Sequence, residues 1–357
     1  MHTIPKIGLI LGQQTSTEVQ FIMQEIERQG HLAIVIDTRN ISRHIHIEYH
    51  VTESSLCLII YGRRMSMSQI SGVYWASVTS PIVMPAKSQK PKDENTAAKS
   101  TLSNNVIPKD VHPKQISPTQ NILDTLVTDP SMDLACLMQL LFAQSQVNWV
   151  NSFAAIQFHR LKAKQLSLAN SLGANIPHTY IGKCPQSILA FLTQHPDSIV
   201  KPVFAGGHTK RLPTSLTSYD EIIKWASHPI TLQTFVPGDN IRTYIIGQFM
   251  ISAKIEEREI EAHDSEKSNV DQKPSLVSDY REAASVKLIP FELPIATQQL
   301  AVRIMRAFHL QYTAIDWRLS PEGKFYFLEA NPAPLFVEAQ AQLGVDIDRA
   351  IVDLMFA

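Results

Sequence analysis

Apolar and polar positions alternate along this chain in blocks that each predict an element. Lys6-Ile-Gly-Leu-Ile-Leu11 is a short apolar run with the pattern of a buried strand. Thr15-x-x-Glu18 then reads as a capping box that opens a helix, and Gly30 closes it. Leu32 to Ile36 and Leu56 to Ile60 return to strand, so the first 80 or so residues predict a small parallel α/β unit. From Met132 to Ala143, Leu134, Leu137, Met138 and Leu141 follow helical spacing. A further helix is predicted from Phe158 to Leu172, with Leu161, Leu168 and Leu172 on one stripe and Gly173 as a left-handed cap. Ile199-Val-Lys201-Pro202 is a strand that runs into Ala205-Gly-Gly-His-Thr209. Thr231 to Val236 is another strand, ended by Pro237-Gly238; Ile241 to Ala253 reads as a hairpin centred on Gly247, and Ile295 to Phe308 as a helix.

Near the C-terminus, Ala314-Ile-Asp-Trp-Arg-Leu319 and Lys324-Phe-Tyr-Phe-Leu-Glu-Ala-Asn331 flank the turn sequence Ser320-Pro-Glu-Gly323, which predicts a β-hairpin. Pairing Leu319 with Lys324 sets Asp316 opposite Phe327 and puts Glu329 and Asn331 on the face of Asp316. In that register Ile315, Trp317, Leu319, Tyr326 and Leu328 form one apolar side, and Phe325 and Phe327 the other. A strand apolar on both sides is covered on both sides, so the acids within it need partners. Two carboxylates and an amide oxygen, with no Cys or His, suit a hard cation such as magnesium, which keeps positions open for water and phosphate.

Two stretches break the pattern. Residues 85–118 are rich in Lys, Ser, Asn, Gln and Pro, with too little apolar surface to offset the entropy of ordering, and residues 257–278 are polar and charged, the composition of a surface loop. The organisation that follows is an N-terminal α/β domain (1–84), a flexible polar insertion (85–120), a linker helix with a small central lobe (121–228) and a C-terminal lobe with the acidic hairpin (229–357).

A net charge of −1 over 357 residues leaves no basic field to draw nucleic acid or an anionic membrane. Three separated cysteines, Cys57, Cys136 and Cys184, make neither a disulfide framework nor a zinc knuckle, which fits a reducing cytosol. No apolar run approaches the roughly 18 residues of a membrane span and no signal-peptide pattern opens the chain, so a cytoplasmic protein is expected. Gly12 stands alone after the first strand, without Gly-x-Gly-x-x-Gly, and no Gly-x-x-x-x-Gly-Lys-Ser/Thr occurs, which excludes the dinucleotide and Walker fingerprints.

Cations are spaced along the polar positions. Lys201 leaves its strand beside Gly206-Gly207, an arrangement that can set a fixed charge and backbone N–H groups around a phosphate; an ordinary surface lysine before a turn has the same local pattern. Lys162 and Lys164 lie off the apolar stripe of their helix and by spacing alone are solvated. Arg242 alternates with apolar residues in a strand, and Arg281 lies in Asp279-Tyr-Arg281; either can grip phosphate or make a structural ion pair.

Taken in order, Lys162-x-x-Gln165, Ile-Pro177-x-Thr179, Ile-Val-Lys201-Pro, Leu-Gln233-Thr-Phe-Val-Pro-Gly-Asp-Asn-Ile-Arg242, Asp279-Tyr-Arg281, Ile-Asp316 and Phe-Leu-Glu329-Ala-Asn331-Pro resemble the ATP-grasp ligases. Within them the sequence is similar to the RimK-type branch, which includes the graspetide (microviridin-type) ligases that close ester and amide rings in peptides. The resemblance covers roughly residues 145–355, with a pre-ATP-grasp domain in front. It implies an α/β ATP-grasp fold with ATP between two lobes. Lys162 and Lys201 would hold the α- and β-phosphates, with Gly206 and Gly207 in the loop over the triphosphate. Gln233, Thr234, Phe235 and Val236 would take adenine, with Asn240 nearby. Arg242 and Arg281 would be the catalytic cations around the γ-phosphate, and Asp316, Glu329 and Asn331 the ligands of Mg2+, with Mn2+ as an alternative ion.

The implied reaction is ATP-dependent joining of a carboxylate to an amine or hydroxyl through an acyl-phosphate, on an amino-acid or peptide substrate, with a homodimer left open. Phosphate transfer to a small-molecule hydroxyl and a non-catalytic ATP-binding role are the alternatives. The chain departs from the usual pattern at Thr234, where glutamate is common, at Asn240, where an acid is, and at Asn331-Pro-Ala-Pro334, where many ring-closing members have Asn-Pro-x-Gly.

Overall fold

The computed structural model describes residues 5–38, 45–76, 130–203, 209–212, 222–223, 227–257 and 286–357. The polar 85–118 stretch, the 257–278 stretch apart from residue 257, and Gly206, Gly207 and Arg281 lie outside the described residues.

Four sheets organise the described residues. In the N-terminal part, β1 (Ile7–Gly12), β2 (Leu32–Asp37), β6 (Ile70–Trp75) and β7 (Asn148–Val150) form a parallel sheet in the order β2-β1-β6-β7. Between β2 and β6, the strands β3 (Ile45–His50), β4 (Ser55–Ile60) and β5 (Arg63–Ser66) form a separate antiparallel sheet. This corrects the wholly parallel unit expected from sequence: the Leu56 to Ile60 run alternates buried with half-buried positions, and the Tyr61-Gly62 turn, with φ of 50° and 78°, folds it back as a hairpin. Helix α1 (Thr17–Arg28) also starts later than expected. Ser16 is its N-cap, but the Ser16 hydroxyl donates to Glu18 Oε2 at 3.0 Å, so the capping box does not form.

The small lobe is the antiparallel sheet β10-β9-β11-β8, from β8 (Thr179–Gly182), β9 (Ser198–Pro202), β10 (Lys210–Arg211) and β11 (Ile230–Thr234). The C-terminal lobe is a five-stranded antiparallel sheet in the order β14-β13-β12-β15-β16, from β12 (Asp239–Ile246), β13 (Phe249–Glu257), β14 (Val286–Pro290), β15 (Tyr312–Leu319) and β16 (Phe325–Asn331). One face packs on Leu166 and Ala169 of α4 (Lys162–Ser171) and on Ala301, Ile304 and Met305 of α6 (Ile295–Ala307). Trp317 and Phe327 are 1% and 0% exposed in that layer, and burial of each contributes about 2–3 kcal/mol. Helices α2 (Pro130–Phe142) and α5 (Pro185–Gln194) complete the N-terminal part and the small lobe.

The other face of the large sheet has two halves. Tyr244, Ile246, Tyr312 and Ala314 pack on α7 (Val337–Leu343), α8 (Ile347–Met355) and residues of β1, β6 and α1, which joins this lobe to the N-terminal part. Gly72 permits the approach of α8 to β6: a Cβ there would lie 2.1 Å from the Met355 carbonyl oxygen. Two residues further along each strand, the same face carries Arg242 and Asp316, beyond the apolar cover.

Both edges of this sheet are occupied by amide side chains. Gln342 of α7 accepts from Leu288 N–H at 2.8 Å and donates to the Val286 carbonyl at 3.1 Å, completing the ladder of β14. On β16, Asn175 receives Phe327 N–H at its carbonyl, 2.9 Å, and its side chain donates to the Phe325 carbonyl at 3.2 Å.

The expected 158–172 helix is two helices. α3 (Phe153–His159) ends before Leu161, which leaves helical geometry at φ −90° and ψ 64° and restarts the chain as α4. Leu161 is consequently 48% exposed, off the apolar stripe assigned to it.

A carboxylate and cation cluster between two lobes

The C-terminal hairpin forms, in a different register from the one the sequence suggests. Leu319 pairs with Phe325 and Trp317 with Phe327, and then a bulge leaves Leu328 unpaired so that Asp316 faces Glu329 directly. Phe327 therefore lies on the core face with Trp317, not opposite to it. The bulge corrects the offset: Asp316 and Glu329 still share a face.

Asn331 Nδ2 lies 3.1 Å from Glu329 Oε1 and 3.4 Å from Asp316 Oδ2, so the three proposed metal ligands converge. Cations close around them. Lys162 Nζ is 2.6 Å from Glu329 Oε2, and Arg242 Nε is 3.4 Å from Asp316 Oδ1, all four side chains being less than a quarter exposed. Lys162 is thus not solvated as its spacing suggested, because the break before α4 turns its first residue toward β16. Burial opposes ionisation of Glu329, but the attraction and hydrogen bond of Lys162, with a further pull from Lys201, hold its carboxyl well below the usual range.

The support under this cluster was not legible as functional. Gln165, 1% exposed, clamps the backbone of Ala330 twice: its Nε2 donates to the carbonyl at 3.1 Å and its Oε1 accepts from the N–H at 3.2 Å. His159 Nδ1 lies 3.0 Å from the same carbonyl. Burial first, and then Lys162, push this imidazole down to about 4, so it is neutral near pH 7. Asn151, 1% exposed and at φ 65°, donates to the carbonyls of Tyr312 (2.6 Å) and Pro332 (2.5 Å) and accepts from Gln311 and Tyr312 N–H. The segment after Asn331 is fixed over the sheet: Thr313 donates to the Asn331 carbonyl, Tyr312 to that of Pro334 and Tyr244 to that of Leu335. Burial raises both phenols, which keeps them donors.

Across the cleft, Lys201 Nζ donates to Gln233 Oε1 at 3.1 Å, and Gln233 Nε2 donates to Thr179 Oγ1 at 2.9 Å. A pocket beside them is lined by Pro177, Ile199, Gln233, Thr234, Phe235 and Val236 from the small-lobe side and by Arg318 and Leu328 from the large sheet. The bulge supplies Leu328 to this pocket, and no polar or apolar pattern in the sequence announces it. Asn240 does not line the pocket; its Oδ1 accepts from Arg318 Nη1 at 2.6 Å, and Arg318 Nε donates to the Val236 carbonyl at 2.9 Å. Carboxylate oxygens of this kind are the donors a hard cation prefers, and the cluster lies near lysines and a mostly apolar slot.

Solved structures with this fold follow nearly the whole chain. The macrocyclase MdnC from Microcystis aeruginosa MRC, bound with the precursor peptide MdnA, superposes with a TM-score of 0.70 over 98% of this chain and 99% of its own, at 17% identity. The chain has the ATP-grasp fold. The ATP-grasp ligase PsnB complexed with minimal precursor gives 0.70 over 99% and 98% at 19% identity. A RimK domain ATP-grasp protein from Sphaerobacter thermophilus gives 0.54 over 98% and 100% at 10% identity. No protein-family model and no curated protein matches the sequence. Among the described residues of this ATP-grasp chain, no helix is long and apolar enough to cross a membrane.

Proposed function

We propose that the chain is an ATP-dependent ligase that activates a carboxylate of a peptide as an acyl-phosphate and joins it to an amine or hydroxyl. The observation that carries this reading is the convergence of Asp316, Glu329 and Asn331 with Lys162 and Arg242, opposite Lys201 and next to the slot between the lobes. Two carboxylates and an amide oxygen suit Mg2+, or Mn2+ in its place, which when bound would offset charge on the phosphates.

The residues divide the work by position. The slot lined by Thr234 to Val236 and floored by Leu328 takes the adenine ring, with Arg318 and Asn240 fixing one wall. Lys162 and Lys201 hold phosphate oxygens between α4 and β9. Arg242, anchored beside Asp316, is in place for charge on the transferred phosphoryl group. A substrate carboxylate oxygen attacks the γ-phosphorus, the bond to the bridging oxygen breaks and ADP leaves. The acceptor then attacks the acyl carbon, inorganic phosphate departs and the acceptor proton goes to solvent. No side-chain nucleophile is needed, because positioning the acceptor beside a good leaving group removes much of the barrier.

A peptide as substrate is supported by the solved structures with this fold, among them a Chryseobacterium gregarium RiPP-associated ATP-grasp ligase in complex with ADP and a leader and core peptide. PsnB in complex with minimal precursor, Mg and ADP supports the nucleotide and the ion. The test incubates the protein with ATP, magnesium chloride and a synthetic acid-rich peptide that also carries Thr and Lys. Free phosphate, ADP and a peptide lighter by one water per bond are expected. Phosphate attached to the acceptor would overturn the reading in favour of a kinase.

A further inference from the structure

His159 ends α3, is 7% exposed, and has no part in the chemistry above. Its Nδ1 faces the Ala330 carbonyl at 3.0 Å, and a carbonyl only accepts, so Nδ1 carries the ring proton. Lys162 Nζ is 3.5 Å from both ring nitrogens. An ammonium aimed along the Nε2 lone pair would lie much farther from Nδ1, and one placed between them in the ring plane would collide with Cε1. Equal distances therefore set the ammonium over the ring face, where a neutral aromatic ring attracts a cation.

Lys162 Nζ is meanwhile 2.6 Å from Glu329 Oε2. An ion on Glu329 Oε2 would displace this lysine and a nucleotide phosphate would offer it a new partner, and an unsupported lysine gains rotamer freedom once it lets go. We propose that His159 is a positioning residue whose ring face supports the Lys162 ammonium as it moves between Glu329 and a nucleotide phosphate. The proposal rests on the reading of Lys162 as a phosphate-binding group.

The test is calorimetric titration of ADP with magnesium chloride into the full chain. His159→Leu, which removes the aromatic face, weakens ADP roughly tenfold, while His159→Phe, which restores it, stays within about threefold of wild type. His159→Leu added to Lys162→Met costs no further affinity, a non-additivity that a merely structural role would not produce. His159→Asn, which keeps a donor for the Ala330 carbonyl without a ring, decides in the same way if the Leu variant fails to fold. Wild-type affinity in the ringless variants, or full additivity with Lys162→Met, overturns the proposal and leaves the nucleotide reading intact. Failure of the wild type to bind ADP overturns both.

Discussion

Lys162→Met removes one side of the 2.6 Å ion pair with Glu329, and its cost follows from where that pair sits. Exposed pairs contribute about 0–1 kcal/mol, and breaking a fully buried one costs about 3–5 kcal/mol. Lys162 and Glu329 are 17% and 23% exposed, between those limits, so the variant should lose about 2 kcal/mol. The stranded Glu329 would then face Asp316 directly across the ladder, a like-charge pair, with burial opposing its ionisation. Because Lys162 depresses the folded-state carboxyl, the stabilisation is fully present above the unfolded carboxylate range and is lost as pH falls through the folded value. The difference between wild type and variant should accordingly be largest near pH 7 and narrow toward about pH 3. Urea unfolding followed by tryptophan fluorescence at several pH values measures it, with the buried Trp317 as a reporter of the same sheet. Equal stability near neutrality, or a difference that does not change with acidification, would refute the reasoning.

Three further substitutions probe other parts of the site. Asn151→Ala leaves two carbonyls and two N–H groups without their side-chain partner and keeps a positive φ on a residue with a Cβ; a loss of about 3–5 kcal/mol is expected in thermal or urea unfolding. Leu328→Trp fills the slot between the lobes, so ATP affinity should fall at least about tenfold in a fluorescent-nucleotide displacement assay while the unfolding midpoint holds. Arg242→Met should lower kcat by roughly 100- to 1,000-fold with little change in ADP affinity, measured by ADP release against calorimetric binding; equal losses in both would move Arg242 from chemistry to nucleotide binding.

The C-terminal hairpin could be read because Ser320-Pro-Glu-Gly323 forces a turn and the flanking runs are strongly apolar, and the sharing of a face by Asp316 and Glu329 survived. The register could not be read, since a bulge at Leu328 inserts one residue into a strand whose two faces are both apolar, and no clash in the pattern reveals the slip. The break between α3 and α4 is equally silent: Arg160 and Leu161 are ordinary helix formers with no Pro or Gly between them. That break decides where Lys162 points, so helical spacing alone misjudged its surroundings. The antiparallel β3-β4-β5 insert was hidden because a single apolar run such as Leu56 to Ile60 does not state the direction of its neighbour. A lone polar residue such as His159 acquires meaning only once β16, more than 150 residues away in sequence, is laid against it, and the motif position Gln165 gains its role as a backbone clamp in the same way.

The amides of Gln342 and Asn175 have a consequence for any guest chain. Each offers a donor and is matched by an acceptor at the rim of the five-stranded layer, where an incoming backbone would otherwise be welcomed. A visiting peptide cannot lengthen that layer as a sixth member without evicting one of them. Backbone pairing with such a guest is thereby left to the rims of the other sheets, and capture at this layer falls to side chains.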